Sequence, residues 1–316
     1  MKDIINVLNS AVKVAVFVHV TADGDALGSA LALKCALESN GKLVDLYLNE
    51  KISQRLEFLG EYCDCEYFTE LKQNNYDTVV ALDCADEKRF GKFQDYVAKH
   101  ENCINIDHHF TNTKYANFNY VDSDAAATGE IIAHLFEEMK FKLNKEIASL
   151  LYVAISSDTG CFAYSNSTPK THMVAAKLIS LGIDSAKINR FLFDTVTLVE
   201  LNLKSHIINN LKIFYEGKLA IAVITEKDLE KFGASYENTE GLVDLLRSIK
   251  GVEVGCLIKE KDGNTKGSIR TNAYVDAAYI SSIFGGGGHI RAAGFSTEIC
   301  VEKTLEKIVQ VTENLL

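Results

Sequence analysis

Short apolar runs alternate with longer helical patterns in the first half of the chain: VKVAVFVHV, LGSALALKCALESNG, KLVDLYL, then DTVVALD and NCINID. Runs rich in β-branched residues read as strands, and strands interleaved with helices predict a parallel α/β sheet. Leu27, Ala30, Leu31, Leu33 and Leu37 mark one face of a helix that opens near Leu27 and closes at a Gly41 cap. Over residues 125–181 the spacing turns mostly helical, in ATGEIIAHLFEEM, KEIASLLYVAISSD and THMVAAKLISLG. Residues 188–211 keep helical spacing without Gly or Pro and predict one long connecting helix. After it, KLAIAVIT reads as a strand, TEGLVDLLRSI as a helix, and VEVGCLIKE with TKGSIRT as a hairpin turning at Asp262, Gly263 and Asn264. A helix at VDAAYISSI, a glycine-rich loop, a strand at GFST and an amphipathic helix complete the chain. The pattern predicts an α/β protein with a parallel-sheet domain over residues 1–187, a helical linker over 188–213 and a smaller α+β domain over 214–316.

Composition sharpens this picture in three places. A chain of 316 residues with 47% hydrophobic and 24% charged residues is globular and has room for two cores. Its apolar run AVKVAVFVHV contains Lys13 and falls well short of the ~20 residues that span a bilayer. No secretory signal is legible in MKDIINVLNS, so the cytoplasm is the expected location. Eight scattered Cys do not form a disulfide framework, and Cys63 and Cys65 make an isolated C-x-C without a second pair at zinc-ligand spacing. The net charge of -10 argues against a sequence-independent grip on long duplex nucleic acid. Residues 247–291 run against that balance, with seven Lys or Arg and four Asp or Glu, and are the first place to look for phosphate contacts. No basic track for a long polymer is legible along the chain.

The candidate chemistry gathers at strand ends. The first strand runs into His19, and Asp23 and Asp25 follow in HVTADGDALGS; by itself this D-x-D also reads as an Asx turn or helix cap. DTVVALD ends in Asp83, and NCINIDHH ends in Asp107, His108 and His109. The carboxyl ends of parallel strands open on one crevice, so these groups converge, and their like charges call for cations between them. Mixed nitrogen and oxygen donors suit manganese, iron or zinc, and a set this large can hold two ions. Asp158, in AISSDTG, stands before a turn and reads either as a cap or as a further donor.

The strings HVTADGD, ALDCAD, IDHH and SSDTG, followed by GGGGHIRAAG, stand in the order of the DHH phosphoesterase family, and the chain resembles that family along nearly its whole length. The last string resembles the signature of the DHH-associated C-terminal domain. The two-domain layout is most similar to the bacterial branch of nanoRNases and pAp phosphatases. The resemblance implies two divalent ions, of which manganese is the expected one. His19 and Asp23 would hold one ion, Asp25, His108 and Asp158 the other, with Asp83 bridging. It implies that His109 contacts the phosphate or assists the leaving oxygen, the alternative being that Asp107 and His109 only orient ligands. Arg89 would fork onto a nonbridging phosphate oxygen. In the second domain Gly286, Gly287, Gly288 and His289, with Arg270, would hold the substrate, while Arg291 and Lys266 read as helix surface and hairpin rim. The implied activity is hydrolysis of very short oligoribonucleotides to mononucleotides and removal of the 3′-phosphate of pAp. The rivals are a phosphodiesterase of linear or cyclic dinucleotides and a nucleotide-binding regulator without catalysis. No membrane or long duplex partner is expected, and a homodimer is left open. Because the exterior is acidic, kcat/KM is expected to fall as RNA lengthens from two to five nucleotides.

Overall fold

The apolar runs at residues 78–82 and 103–107 are buried along their entire length, which is the signature of strands covered on both faces. In the computed structural model, which describes residues 1–72 and 75–316, they lie inside a five-stranded parallel sheet. Its strands are β1 (Lys13–Val18), β2 (Leu43–Tyr47), β3 (Thr78–Leu82), β4 (Cys103–Asp107) and β5 (Phe118–Val121), in the order β2-β1-β3-β4-β5. Successive residues of a strand face opposite ways, so β1 feeds two cores. Val14, Val16 and Val18 join Val80, Leu82, Ile104 and Ile106 on one face, whereas Ala15 and Phe17 join Val79, Ala81, Phe90 and Phe93 on the other.

The helices of this unit are α1 (Lys2–Ser10), α2 (Gly24–Ser39), α3 (Gln94–Lys99), α4 (Thr128–Glu138), α5 (Lys145–Asp158), α6 (Pro169–Ser180) and α7 (Ser185–Asn189). Three of them meet backbone to side chain. A Cβ added at Gly28 of α2 would lie 2.7 Å from the Leu150 carbonyl oxygen of α5, and one at Gly129 of α4 would lie 2.4 Å from the Ala154 Cβ. These two glycines bring α2 and α4 against α5 at their N-terminal ends. α2 opens at Gly24 rather than near Leu27, because the Asp23 side chain caps it from one residue outside.

The long connecting helix expected over residues 188–211 is interrupted. α7 passes into a π-helical turn, Arg190–Asp194, the backbone extends at Thr195, and α8 (Leu198–Asn209) starts afresh. The cause is a capping box: Thr197 Oγ1 accepts from the Glu200 amide at 3.1 Å, and Glu200 Oε2 accepts from the Thr197 amide at 2.7 Å. The chain divides at this break into two compact units, Met1–Thr195 and Val196–Leu316.

The second unit is built on a mixed six-stranded sheet of β6 (Lys212–Phe214), β7 (Leu219–Ile224), β8 (Val254–Lys261), β9 (Asn264–Thr271), β10 (Gly287–His289) and β11 (Ala292–Thr297). Its order is β10-β11-β9-β8-β7-β6, and only β7 and β8 are parallel. Asp262 and Gly263, with φ of 51° and 74°, make the two-residue turn between β8 and β9. The helices are α9 (Glu226–Phe232), α10 (Leu242–Arg247), α11 (Ala277–Ser282) and α12 (Val301–Glu313). One sheet face packs Cys256, Ile258, Ile269 and Phe295 against Ile308 of α12; the other packs Ala220, Ala222 and Leu257 against Leu203 of α8 and Leu246 of α10.

The glycine-rich segment is not an open loop along its length, because Gly287–His289 forms the edge strand β10. Two of its glycines are needed for that pairing. A Cβ at Gly286 would sit 2.2 Å from the Gly294 carbonyl oxygen, and Gly288 has φ of 147° with the Ala292 carbonyl oxygen 2.6 Å from where its Cβ would be. Among the described residues, no helix is long and apolar enough to cross a membrane.

Candidate functional site

Parallel strands that end together deliver their last residues to one edge, and here β1, β3 and β4 are neighbours. His19 follows β1, Asp83 follows β3, and Asp107, His108 and His109 end and follow β4. The N-terminus of α2 adds Asp23 and Asp25, and the last residue of α5 adds Asp158.

Asp83 stands at the centre. Its backbone is left-handed, with φ of 54°, a conformation that Asp tolerates better than most side chains. This turns the carboxylate so that each oxygen serves a different group. Oδ2 lies 3.7 Å from His19 Nε2, and Oδ1 lies 3.6 Å from His108 Nε2 while accepting a 3.0 Å hydrogen bond from Thr128 Oγ1. Burial alone would push its carboxyl up, but His19, His108 and His109 outweigh that and hold it down to about 2.

Two triads share the site. His19, Asp23 and Asp83 bring ligand atoms within 4.8 Å of one another, and so do Asp25, His108 and Asp158. In the first, the His19 Nδ1 proton goes to the Val20 carbonyl at 2.6 Å, which leaves the Nε2 lone pair facing Asp23 at 3.8 Å and Asp83. Asp23 divides its work: Oδ1 caps α2 through the amides of Asp25 and Ala26, both at 3.1 Å, and Oδ2 faces His19. Cap and site residue, alternatives in the sequence, are thus one side chain.

In the second triad His108 Nε2 lies 3.8 Å from Asp25 and 3.4 Å from Asp158. Asp25 is buried and reaches across to α4, accepting from the amides of Thr128 at 2.7 Å and Gly129 at 2.9 Å, and from Ser29 Oγ at 3.0 Å. Burial and the neighbouring charges of Asp83 and Asp158 push its carboxyl well above the usual range. Burial likewise lifts Asp158 to about 6 against the pull of His108. Asp23, Asp25 and Asp158, carboxylates whose ionisation burial and neighbouring negative charge suppress, stand around Asp83 with the Nε2 atoms of His19 and His108, a set that fits divalent cations by charge and by donor type. A third grouping of Asp83, His108 and His109 falls within the same 4.8 Å limit, which makes Asp83 common to both sides of the cluster.

His109 and Asp107 separate in role. Asp107 is fully buried and spends both oxygens: Oδ1 accepts from His109 Nδ1 at 2.7 Å and from the His108 amide at 2.9 Å, and Oδ2 from Asn112 Nδ2 at 2.6 Å. It therefore fixes the ring of His109. Burial works against the imidazolium, yet the bond to Asp107 prevails and lifts His109 to about 9. Arg89 stands on the 3-10 turn Glu87–Phe93, with Nη2 3.2 Å from His19 Nδ1 and its carbonyl accepting from the Val20 amide at 2.8 Å. It is exposed at the rim of the cluster.

Three residues that hold the site were not among the expected site residues, although Gly24 lies within HVTADGD. Thr128 bonds Asp83 and Asp25 at once, Asn112 holds Asp107, and Gly24 makes room for Ser157, whose Oγ would lie 2.4 Å from an added Cβ. The start of α4, in AATGEI, is the signal that points to Thr128, since amides at a helix N-terminus attract carboxylates.

The other expected residues belong to the second unit. Cross-strand partners share a sheet face. His289 pairs with Ala292, which pairs with Arg270, so the His and the Arg stand on one face with a methyl group between them, roughly 10 Å apart across two strand spacings. Arg270 Nη1 donates to the Ile269 carbonyl at 3.1 Å, and Nε lies 3.8 Å from Asp244 Oδ1. On the same face Gly287 pairs with Gly294 and Gly294 with Ser268. Arg291 is a structural clamp, donating to the carbonyls of Val275 at 2.9 Å and of Ala273. Buried Glu253 braces the same loop, with Oε1 accepting from the amides of Ala273, Tyr274 and Val275 at 2.7 to 3.0 Å.

Comparisons with known proteins agree with this layout. Residues 13–155 match the N-terminal domain of the DHH family, and residues 216–316 match the DHHA1 domain. The bifunctional oligoribonuclease and PAP phosphatase NrnA of Thermus thermophilus is 30% identical over 301 residues, which covers 94% of this chain and 88% of that protein. A crystal structure of an exopolyphosphatase-related protein from Bacteroides fragilis superposes with a TM-score of 0.93 at 25% identity, covering 99% of this chain and 96% of the other. RecJ of Thermus thermophilus, solved with Mn2+, shares the fold at 15% identity with a TM-score of 0.59, over 99% of this chain and 54% of RecJ.

Proposed function

This chain belongs to the DHH family, and from that premise we propose that it is a metal-dependent phosphoesterase that hydrolyses very short oligoribonucleotides to mononucleotides and removes the 3′-phosphate of pAp. The observation that carries the reading is the placement of Asp83, whose one oxygen faces His19 beside Asp23 and whose other faces His108 of the second triad. His19, Asp23 and Asp83 would hold one divalent ion, and Asp25, His108, Asp158 and Asp83 the second. Bound there, two such ions supply a nucleophile near neutral pH and positive charge for the phosphoryl oxygens, and manganese suits the mixed donors.

The chain's own groups do the rest. Asp107 keeps His109 protonated and aimed, so that its imidazolium meets the phosphate or hands a proton to the leaving oxygen. Arg89, at the rim beside His19, presents a planar fork to a nonbridging oxygen. Thr128 and the α4 amides hold Asp83 and Asp25 in place, so the site needs little rearrangement when substrate arrives. In the second unit Arg270 and His289, on one face across Ala292, are the groups proposed to hold the terminal nucleotide.

The test is an assay of the purified protein on pAp, a dinucleotide, a five-nucleotide RNA and a cyclic dinucleotide, with manganese and with excess chelator. Hydrolysis of pAp and of the short RNAs that is lost on chelation is expected. Full activity in chelator removes the metal from the reading, and turnover of the cyclic dinucleotide alone replaces the substrate class.

A further inference from the structure

One basic cluster takes no part in the site already described. The ammonium groups of Lys261, Lys259 and Lys266 stand 4.4, 4.7 and 5.6 Å from the ring centre of Tyr236, on the 3-10 turn Tyr236–Thr239 before α10. Lys259 and Lys266 are direct partners across β8 and β9, and Lys261 shares their face two residues on. Like charges opposite each other on a sheet are unfavourable. Among the described residues none of the three lysines has a carboxylate within ion-pair distance; the nearest hydrogen bond is from Lys259 to Thr239 Oγ1 at 3.4 Å. Glu240 lies near enough to favour the Lys259 charge, but burial and the cations of Lys266, Arg270 and Lys261 prevail and bring Lys259 down to about 8. The hydroxyl of Tyr236 is buried there without a hydrogen-bond partner.

The registers connect this cluster to Arg270. Along β9, Lys266, Ser268 and Arg270 stand on one face at a period of two, and their β11 partners are Ser296, Gly294 and Ala292. A strip floored by Gly, Ala and Ser thus runs roughly 13 Å from Arg270 and His289 to the lysines, four residues of antiparallel strand. No large side chain of β9 or β11 interrupts it, and cations stand at both ends.

We propose that the lysines around Tyr236 bind a phosphodiester of the RNA chain beyond the nucleotide held at Arg270 and His289, so that this strip sets the length of RNA the protein grips. The inference rests on the proposed oligoribonucleotide substrate. It reverses the expectation drawn from net charge: the first added phosphates meet cations here, and repulsion begins only past the strip. Ammonium groups with no carboxylate at ion-pair distance among the described residues, set around an aromatic ring, suit a phosphate with its sugar or base.

The experiment measures binding of labelled RNAs of two and five nucleotides in excess chelator, where nothing is turned over, across a salt series. The proteins are the wild type, Lys261→Ala/Lys266→Ala and the charge-keeping Lys261→Arg/Lys266→Arg, with inorganic phosphate titrated alone as a separate arm. The Ala variant is expected to lose about 10-fold in affinity for five nucleotides and less than about two-fold for two, with the salt slope shallower by roughly 1.4 for two lost contacts. The Arg variant restores both. Equal affinity for five nucleotides in wild type and Ala variant overturns the proposal, as does a variant that loses only inorganic phosphate. Hydrolysis of the dinucleotide with manganese is scored separately: its absence overturns the substrate reading, while the difference between variants still decides the strip.

Discussion

The two units collect charge in opposite ways. The first gathers His and Asp side chains at the ends of three neighbouring parallel strands, where each strand contributes one short contiguous string. The second spreads Lys259, Lys261, Lys266 and Arg270 along the flank of two antiparallel strands, where neighbours in space are separated by alternation and by a hairpin turn. A parallel sheet makes a point-like site and an antiparallel sheet a linear one. The first arrangement suits chemistry at one phosphorus atom, and the second suits holding a chain.

The largest effect that sharpens this contrast is expected from Asp83→Asn, which keeps the left-handed backbone and an acceptor for Thr128 but removes the shared charge. kcat should fall by about 1000-fold or more, the scale of losing a transition-state charge contact, and bound manganese counted by elemental analysis should drop below two per chain. A variant with two ions and wild-type kcat would break the central role given to Asp83. Next comes Asp107→Asn, expected to cost about 10- to 100-fold by releasing His109, as loss of an orienting partner does. The same change made in His109→Ala should cost little more, and an additive double variant would show that Asp107 acts on something else.

Arg270→Ala moves the comparison to the second unit. A group that anchors substrate alters KM more than kcat, so KM should rise about 10-fold, the value of one charge-assisted contact, with kcat nearly constant. A fall in kcat alone would place Arg270 in the chemistry. The smallest effect on turnover is expected from Glu253→Gln, whose carboxylate braces the loop at 273–275. Kinetics should stay within about two-fold, while a melting curve shows the roughly 1 to 3 kcal/mol cost of disturbing a buried, multiply bonded acceptor.

What could be read in the residues follows the same division. His19, Asp83 and the pair at 108 and 109 were legible because a strand end needs no more than its own string to announce itself. The Asp23 and Asp25 string was legible as site or cap, and the structure makes Asp23 a helix cap that faces the site with its second oxygen. Thr128 was legible only as a helix start in AATGEI and not as a site residue, since its value lies in meeting Asp25 and Asp83 from distant parts of the chain. The interruption before α8 was written in Thr197 and Glu200 but hidden beneath an unbroken apolar period. The lysines around Tyr236 were legible as part of the basic segment 247–291, but not as a cluster, because only strand register brings them to one face around that ring.

The bonds from the Thr128 and Gly129 amides to Asp25 also set an order of events in synthesis. They join residues 103 and 104 positions apart, a stretch that a ribosome adds in roughly 5 to 20 s. For that interval the emerging chain holds Asp25, and for much of it Asp83, without the helix start that receives them. The acidic cluster therefore closes late, after all five strands of its sheet have been made, and the nascent protein passes through a stage in which its most repulsive residues are present and their partners are still to come.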